Sequence, residues 1–249
     1  MASKRLLAVI NYKGGTGKTS TAVNVAHGLS IKGKRVLLID LDPQGSISHY
    51  FGIKPEKTLY DLLISKEDYQ DCIFNLRFNL DVIFSNERIF PAEIKMSRSD
   101  KREYFLKDAL SSISGYDYLI FDCAPSMNLL NQNALLFASE LLLPVSMEYL
   151  SLIGVKQLLK NIKIINKLFN KETKIAKVIP TFYDKRNKKS KDILDSLKRV
   201  FPNLVSSPVR VNVRLSEAPG KKMTIFEYDP NSAAAQDYYS IVEEIHKNG

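Results

Sequence analysis

The sequence predicts an α/β fold: a mostly parallel, twisted sheet flanked by helices on both faces, in a single domain over residues 1–249. Three observations carry this. Short, almost wholly apolar runs recur along the chain. Each is separated from the next by a stretch with helical periodicity. No internal repeat, low-complexity tract or linker interrupts the series. Strands that read as continuous apolar runs are those covered on both faces, and parallel neighbours need a crossover, which the helical stretches supply.

The expected strands are LLAVI (6–10), RVLLID (35–40), LDVIF (80–84), YDYLIFD (116–122), ELLLPV (140–145) and IAKVIP (175–180). Helical patterns fall at 18–32, 101–114, 129–138, 149–170, 188–201 and 231–247. Residues 52–100 are the least regular part, where short helices and loops are expected.

Apolar residues make up 45% of the chain and charged residues 25%, the proportions of an ordinary globular protein. The two cysteines, Cys72 and Cys123, form neither a metal-ligand pattern nor a disulfide framework, so reduced thiols in a cytoplasmic protein are expected. MASKR is too short for a signal peptide, and no apolar stretch reaches spanning length. The net charge is +9, unevenly spread: residues 156–222 hold 18 Lys and Arg against 5 Asp and Glu. That segment is net +13 and the remainder net −4. A basic segment on a slightly acidic body suits a polyanionic partner, although a solvated lysine-rich helix face reads the same way.

Directly after the first strand stands NYKGGTGKTS, residues 11–20. It follows the phosphate-loop form G-x-x-x-x-G-K-[ST] except at its first position, which is Tyr12, with a second lysine, Lys13, after it. Backbone N–H groups in such a turn converge on phosphate oxygens, and the helix N-terminus adds a favourable dipole. The candidate nucleotide-binding residues are Lys13, Gly14, Gly15, Thr16, Gly17, Lys18, Thr19 and Ser20. Lys18 would neutralise the β/γ-phosphates and Thr19 would ligate Mg²⁺. A magnesium–nucleotide site also needs a carboxylate opposite the loop. Asp122 ends YDYLIFD at a suitable place, the alternative being a cap on the next helix. In LLIDLDPQGS, Asp40 and Asp42 lie two apart, which in an extended segment puts both on one side. Asp40 suits the outer shell of Mg²⁺ and Asp42 the orientation or deprotonation of a water, the alternative being two solvated loop acids.

KGGTGKTS with its extra lysine, DLDPQG and FDCAPS together resemble the three nucleotide-site motifs of the ParA/Soj/MinD family of ATPases, whose loop motif is deviant. RLSEAP (214–219) and PTFYDKR (180–186) resemble segments of the ParA/Soj branch, and the likeness runs from residue 6 to about 245. The resemblance implies a P-loop NTPase fold, ATP and Mg²⁺ as cofactors, and a homodimer formed with ATP. It implies that Lys13 reaches the nucleotide of the other subunit, so that Lys13, Lys18 and Asp42 form the catalytic set. It also implies non-specific binding of double-stranded DNA through Arg186 and Arg214, to which charge clustering adds Lys185, Lys188, Lys189 and Arg210. Thr181, Pro208 and Val209 occupy the family's adenine-side positions. A ParB-like activating protein, a nucleoid-associated cytoplasmic location and a role in chromosome or plasmid segregation complete the expectation. Ser146 stands where glutamine is more usual, with Glu148 kept, and the loop after SEAP is short. These departures leave cargo and partner identity open.

Other readings on related folds fit less well. A MinD-like membrane ATPase needs a basic, apolar C-terminal amphipathic helix, whereas this chain ends DYYSIVEEIHKNG with Glu243 and Glu244, so no membrane contact is expected. A relative of the nitrogenase iron protein needs two interface cysteines at a spacing that Cys72 and Cys123 do not have. A sequence-specific repressor needs a helix-turn-helix extension, which is not evident.

Overall fold

A computed structural model describes residues 4–247; residues 1–3 and 248–249 of the expected 1–249 domain lie outside it. The chain runs β1 (Arg5–Val9), α1 (Lys18–Ile31), β2 (Val36–Asp40), α2 (Ser46–Phe51), a π-helical turn (Asp61–Ser65), α3 (Tyr69–Cys72) and β3 (Phe74–Arg77). Then follow β4 (Leu80–Ile83), α4 (Ile89–Met96), α5 (Phe105–Leu110), β5 (Tyr118–Asp122), α6 (Leu129–Phe137), β6 (Glu140–Ser146) and α7 (Tyr149–Leu168). The last part is β7 (Lys174–Thr181), α8 (Lys188–Val200), α9 (Val213–Glu217), α10 (Ile225–Tyr228) and α11 (Ala233–Lys247).

The strands form one sheet in the order β3-β4-β2-β5-β1-β6-β7. All neighbours are parallel except β3 and β4. Alternation along each strand divides the core into two layers. Leu37, Ile39, Leu119 and Phe121 pack with Leu106, Leu130, Leu158 and Ile193 on one face. Val36, Leu38, Leu7 and Val9 pack with Val25, Leu29, Tyr238 and Ile241 on the other. All six expected strands and six helical segments are present, with one shortened. The 101–114 segment gives a 3₁₀ turn at Arg102–Tyr104 and then only α5.

The edge strand β3 was not expected. Its sequence, FNLR, buries only Leu76, so it carries no apolar run to read. Asn79, with φ 58, turns the chain into the antiparallel partner, a conformation that asparagine tolerates better than most side chains. The short helices α2, α9 and α10 span four to six residues, too few for a helical period.

Three strands bring the site together. β1 lies between β5 and β6, and β5 lies between β1 and β2. In register, Asp122 stands beside Val9 on one side and Asp40 on the other. The C-terminal ends of β1, β2 and β5 therefore share one edge, at which open α/β sheets bind ligands.

Candidate active site

Residues 10–17 carry the chain from β1 into α1. Gly15 and Gly17 adopt φ 71 and 81, left-handed values that side-chain-bearing residues rarely take. Gly17 is also the N-cap of α1 and offers no side-chain acceptor to the first turn. The opening N–H groups of α1, and the positive end of its dipole, are thus left for an anion. Lys18 curls back over the loop. It is almost fully buried, and its Nζ donates to the Lys13 carbonyl at 3.1 Å. Burial lowers its pKa, while Asp122, Cys123 and Asp42 pull it back up.

The two strand-end aspartates differ in what they hold. Asp40 is fully buried, and its two oxygens accept the N–H groups of Asp42 and Ile47, each at 3.0 Å. It is therefore no solvated loop acid: it braces the segment that presents Asp42. Asp42 is half-buried and accepts the Gln44 N–H at 2.9 Å. Burial and the neighbouring Asp122 push the Asp40 carboxyl well above the usual range. Asp122 is equally buried, yet neither of its oxygens has a hydrogen-bond partner. Burial pushes its pKa up to about 7; the nearby Thr19 hydroxyl and Lys18 ammonium pull down without reaching good hydrogen-bond geometry. It does not cap the next helix, because Asn128 does, accepting the Asn131 N–H at 2.9 Å.

Two unpaired, buried carboxylate oxygens beside a threonine hydroxyl suit a hard, oxygen-seeking cation. Among the described residues no group of three or more His, Cys, Asp or Glu forms a protein-only metal cage. Magnesium is commonly held by one or two carboxylates together with phosphates and waters, so this donor set fits it.

Lys13 points away from the phosphate cradle. Its ammonium is ion-paired with Glu148 of the same chain and lies 3.3 Å from Ser151 Oγ. Its N–H donates to Asn11 Oδ1 at 3.0 Å, and Asn11 Nδ2 donates to the Pro144 carbonyl at 2.8 Å. Glu148 lies 135 residues from Lys13, so no local pattern signals that the two meet.

A mainly apolar cavity of about 290 Å³ opens beside Gly17 and Ser20. Thr181 and Val209, two of the three residues expected near the base, line it, and Pro208 is not among its lining residues. Thr181 Oγ1 donates to the Thr16 carbonyl at 2.9 Å, tying β7 to the loop. Phe182, Val211, Val213, Leu215 and Tyr238 also line it and were missed. Phe182 takes φ 55, a costly conformation for an aromatic residue. Tyr238 lies on α11, whose sequence reads only as an amphipathic helix.

Of the basic candidates, Lys185, Arg186, Lys188 and Lys189 are exposed together at the start of α8. Arg186 chelates Asp184 at 2.9 Å while remaining 85% exposed. Arg214 meets Glu217 at 3.1 Å, the internal partner that sequence spacing allows, and lies 3.6 Å from Asp229. Arg210 is held more firmly than the other basic candidates. Its guanidinium grips the nearly buried Asp237 at 2.7 Å and the Ala233 carbonyl at 3.2 Å, beside the same cavity. It joins the 209–213 segment to α11, with its side chain 45% exposed. Asp237 is 27 residues away in sequence, so no local pattern exposes the pair.

Backbone donors for phosphate, a buried cation above them and a buried carboxylate with spare lone pairs form one polyphosphate–cation site. Set at this edge of a parallel sheet, they define the class of P-loop ATPases. The AAA domain family matches residues 4–175. The sporulation initiation inhibitor protein Soj of Bacillus subtilis is 38% identical over 98% of this chain and 99% of its own. The chromosome partitioning protein ParA of Caulobacter vibrioides is 36% identical over 97% of this chain and 93% of its own. A Mycobacterium smegmatis structure described as cobyrinic acid a,c-diamide synthase, with bound ADP and magnesium, superposes with a TM-score of 0.82 at 29% identity. That comparison covers 97% of this chain and 93% of the other. The chain belongs to the ParA/Soj family of partitioning ATPases.

Proposed function

We propose that this chain works as a partitioning switch: Mg·ATP drives it to dimerise, the dimer binds double-stranded DNA without sequence preference, and slow hydrolysis resets it. A ParB-like partner stimulates the hydrolysis, and the cycle moves a chromosome or plasmid in the cytoplasm, on the nucleoid. The observation that carries this reading is Lys13. Lys18 already supplies the loop's cation, and the second lysine is turned to Glu148 and away from its own loop.

In this reading the loop N–H groups and Lys18 bind the polyphosphate, and Thr19 and Asp122 hold magnesium, with Asp40 behind them. Magnesium, when bound, neutralises charge on the phosphates. Asp42, braced by Asp40, orients the attacking water or accepts its proton. Lys13 of one subunit stabilises charge on the phosphates bound by the other. Thr181 and Val209 support the base. Arg186 and Arg214, with Lys185, Lys188 and Lys189, meet DNA phosphates.

Two alternatives are disfavoured by packing. The apolar face of α11 (Ala234, Tyr238, Ile241, Val242, Ile245) is buried in the core, so it offers no apolar stripe to a lipid surface. No helix of the described residues is long and apolar enough to cross a membrane. A nitrogenase iron-protein relative is also disfavoured, since Cys72 and Cys123 are both buried and neither is presented at an interface. The test is sedimentation with ATP, with ADP and without nucleotide, each with and without random-sequence duplex DNA. Association and DNA binding confined to ATP support the reading; indifference to nucleotide overturns it.

A further inference from the structure

A second cavity, of about 330 Å³, opens at the same edge of the sheet as the phosphate loop. It lies between the turns that follow β2 and β4, which are parallel neighbours. That volume suits a small molecule. Gly45 takes φ 60, and an added Cβ there would stand 2.9 Å from the Ser85 carbonyl oxygen, so the two turns are closely packed. Ser85 lines the cavity and is 1% exposed, and its hydroxyl has no hydrogen-bond partner. A buried hydroxyl left unpaired is costly, and a bound ligand would satisfy it. Gln44 and Asn86 add amide donors, His49 an imidazole and Lys54 an ammonium. A second ammonium comes from Lys222, whose chain lies over the cavity wall at Gly52. A Cβ on Gly52 would stand 2.5 Å from Lys222 Cε and 3.0 Å from its Nζ. Among the lining residues Glu87 is the one carboxylate, and it is exposed.

We propose that this cavity is an effector site for a small phosphorylated anion, held by the Ser85 hydroxyl and the ammonium groups of Lys54 and Lys222. Two cations against one exposed carboxylate favour a multiply charged anion over a neutral or cationic ligand. The same walls reach the turn that carries Asp42. The Gln44 N–H donates to the Asp42 carboxylate and the Gly45 N–H to the Asp42 carbonyl, each at 2.9 Å. A ligand that ties Gln44 to Ser85 therefore fixes the segment presenting Asp42, and a better-fixed carboxylate raises turnover. The effect on turnover rests on the reading that Asp42 orients the attacking water; the binding of the anion does not.

The experiment uses the full chain with its nucleotide site saturated by a non-hydrolysable ATP analogue and magnesium, and titrates inorganic pyrophosphate in a calorimeter. The wild type is expected to bind one pyrophosphate per chain. Lys54→Ala should weaken that binding at least about tenfold, and Ser85→Ala about two- to tenfold. Glu87→Gln removes the opposing charge and should tighten it about two- to fivefold. Opposite shifts from substitutions in one cavity do not arise from misfolding. No binding beyond the nucleotide site, or binding indifferent to all three substitutions, overturns the site. Displacement of pyrophosphate by duplex DNA would make the cavity part of a DNA surface and overturn the small-ligand assignment. With ATP in place of the analogue, pyrophosphate is expected to raise turnover at least about twofold in the wild type and to do nothing in Lys54→Ala. Unchanged turnover despite binding overturns the effector role. A wild type that never hydrolyses ATP overturns the proposed function and the effect on turnover with it, while the pyrophosphate titration still decides the site.

Discussion

Asp40 and Asp122 stand opposite one another at the ends of β2 and β5, both buried, and only Asp40 has hydrogen-bond donors. Two adjacent buried carboxylates without a cation do not both ionise readily. Burial, with a smaller push from Asp42, takes the Asp122 carboxyl up to about 7 from 3.8. Its folded pKa is above its unfolded one, so its contribution to stability is fully present below about pH 4 and fades as pH rises through about 7. A bound cation reverses that preference. Magnesium–nucleotide binding near pH 6 should therefore release a proton, and near pH 9 it should release almost none. Calorimetry in buffers of different ionisation enthalpy measures this. Asp122→Asn should remove the proton release together with the magnesium requirement, and a buffer-independent heat in the wild type would sink the assignment.

Lys18→Ala removes the buried cation that lies across the loop. Truncating one partner of a desolvated charge pair commonly costs 2 kcal/mol or more, so nucleotide affinity should fall by at least about 30-fold. A titration with an unchanged dissociation constant would place the phosphates elsewhere.

Asp42→Ala should bind ATP and still dimerise, then stall. Losing a water-orienting carboxylate costs about 10²–10⁴-fold in rate. Asp40→Ala should do more than affect magnesium, because the N–H groups of Asp42 and Ile47 lose their acceptor. Rapid-quench turnover with matched nucleotide saturation separates the two. Wild-type hydrolysis by Asp42→Ala would move the catalytic role to another group.

The loop, Asp40, Asp42 and Asp122 were legible because each lies at the end of an apolar strand run, where local pattern and chemistry coincide. Edge strand β3 and helices α2, α9 and α10 were not, since they bury too few residues to write a period. The pairs that decide the roles of Lys13 and Arg210 were invisible for another reason. Glu148 and Asp237 reach them across 135 and 27 residues, and spacing carries no signal at that range. Arg210 therefore read as one more free charge in a basic segment, and Lys13 as an unpartnered one.

Phe182 holds a left-handed backbone at the rim of the base-side cavity and is half exposed there. An aromatic face in that place suits stacking on a purine. Phe182→Ala should weaken ATP binding by about 1–3 kcal/mol, the usual worth of a base–aromatic stack, and leave inorganic triphosphate binding unchanged. Equal losses for both ligands would mean that the ring supports the loop and not the base.

The DNA reading separates from bland surface charge through Arg210. Arg186 and Arg214 are 85% and 56% exposed, and their acidic partners are exposed or half-buried, so phosphates can displace those partners at little cost. When the Arg210 guanidinium leaves Asp237, which is only 9% exposed, that carboxylate keeps only the Arg210 backbone N–H at 3.0 Å, so the exchange is costly. Arg186→Glu and Arg214→Glu should each weaken ATP-dependent binding to duplex DNA of any sequence, because phosphates and not base edges are engaged. Each lost phosphate contact lowers the log–log salt slope by about 0.9, and a dimer doubles that to roughly two units. Arg210→Ala should instead destabilise the fold by about 1–3 kcal/mol and leave the slope unchanged. ADP should abolish binding in every variant, since two separate half-surfaces neutralise fewer phosphates together than one dimer does. The measurement is DNA affinity at several salt concentrations, with ATP and with ADP. A slope that falls for Arg210→Ala and not for the other two, or equal affinity with both nucleotides, would remove the start of α8 and the Arg214 helix from the DNA surface.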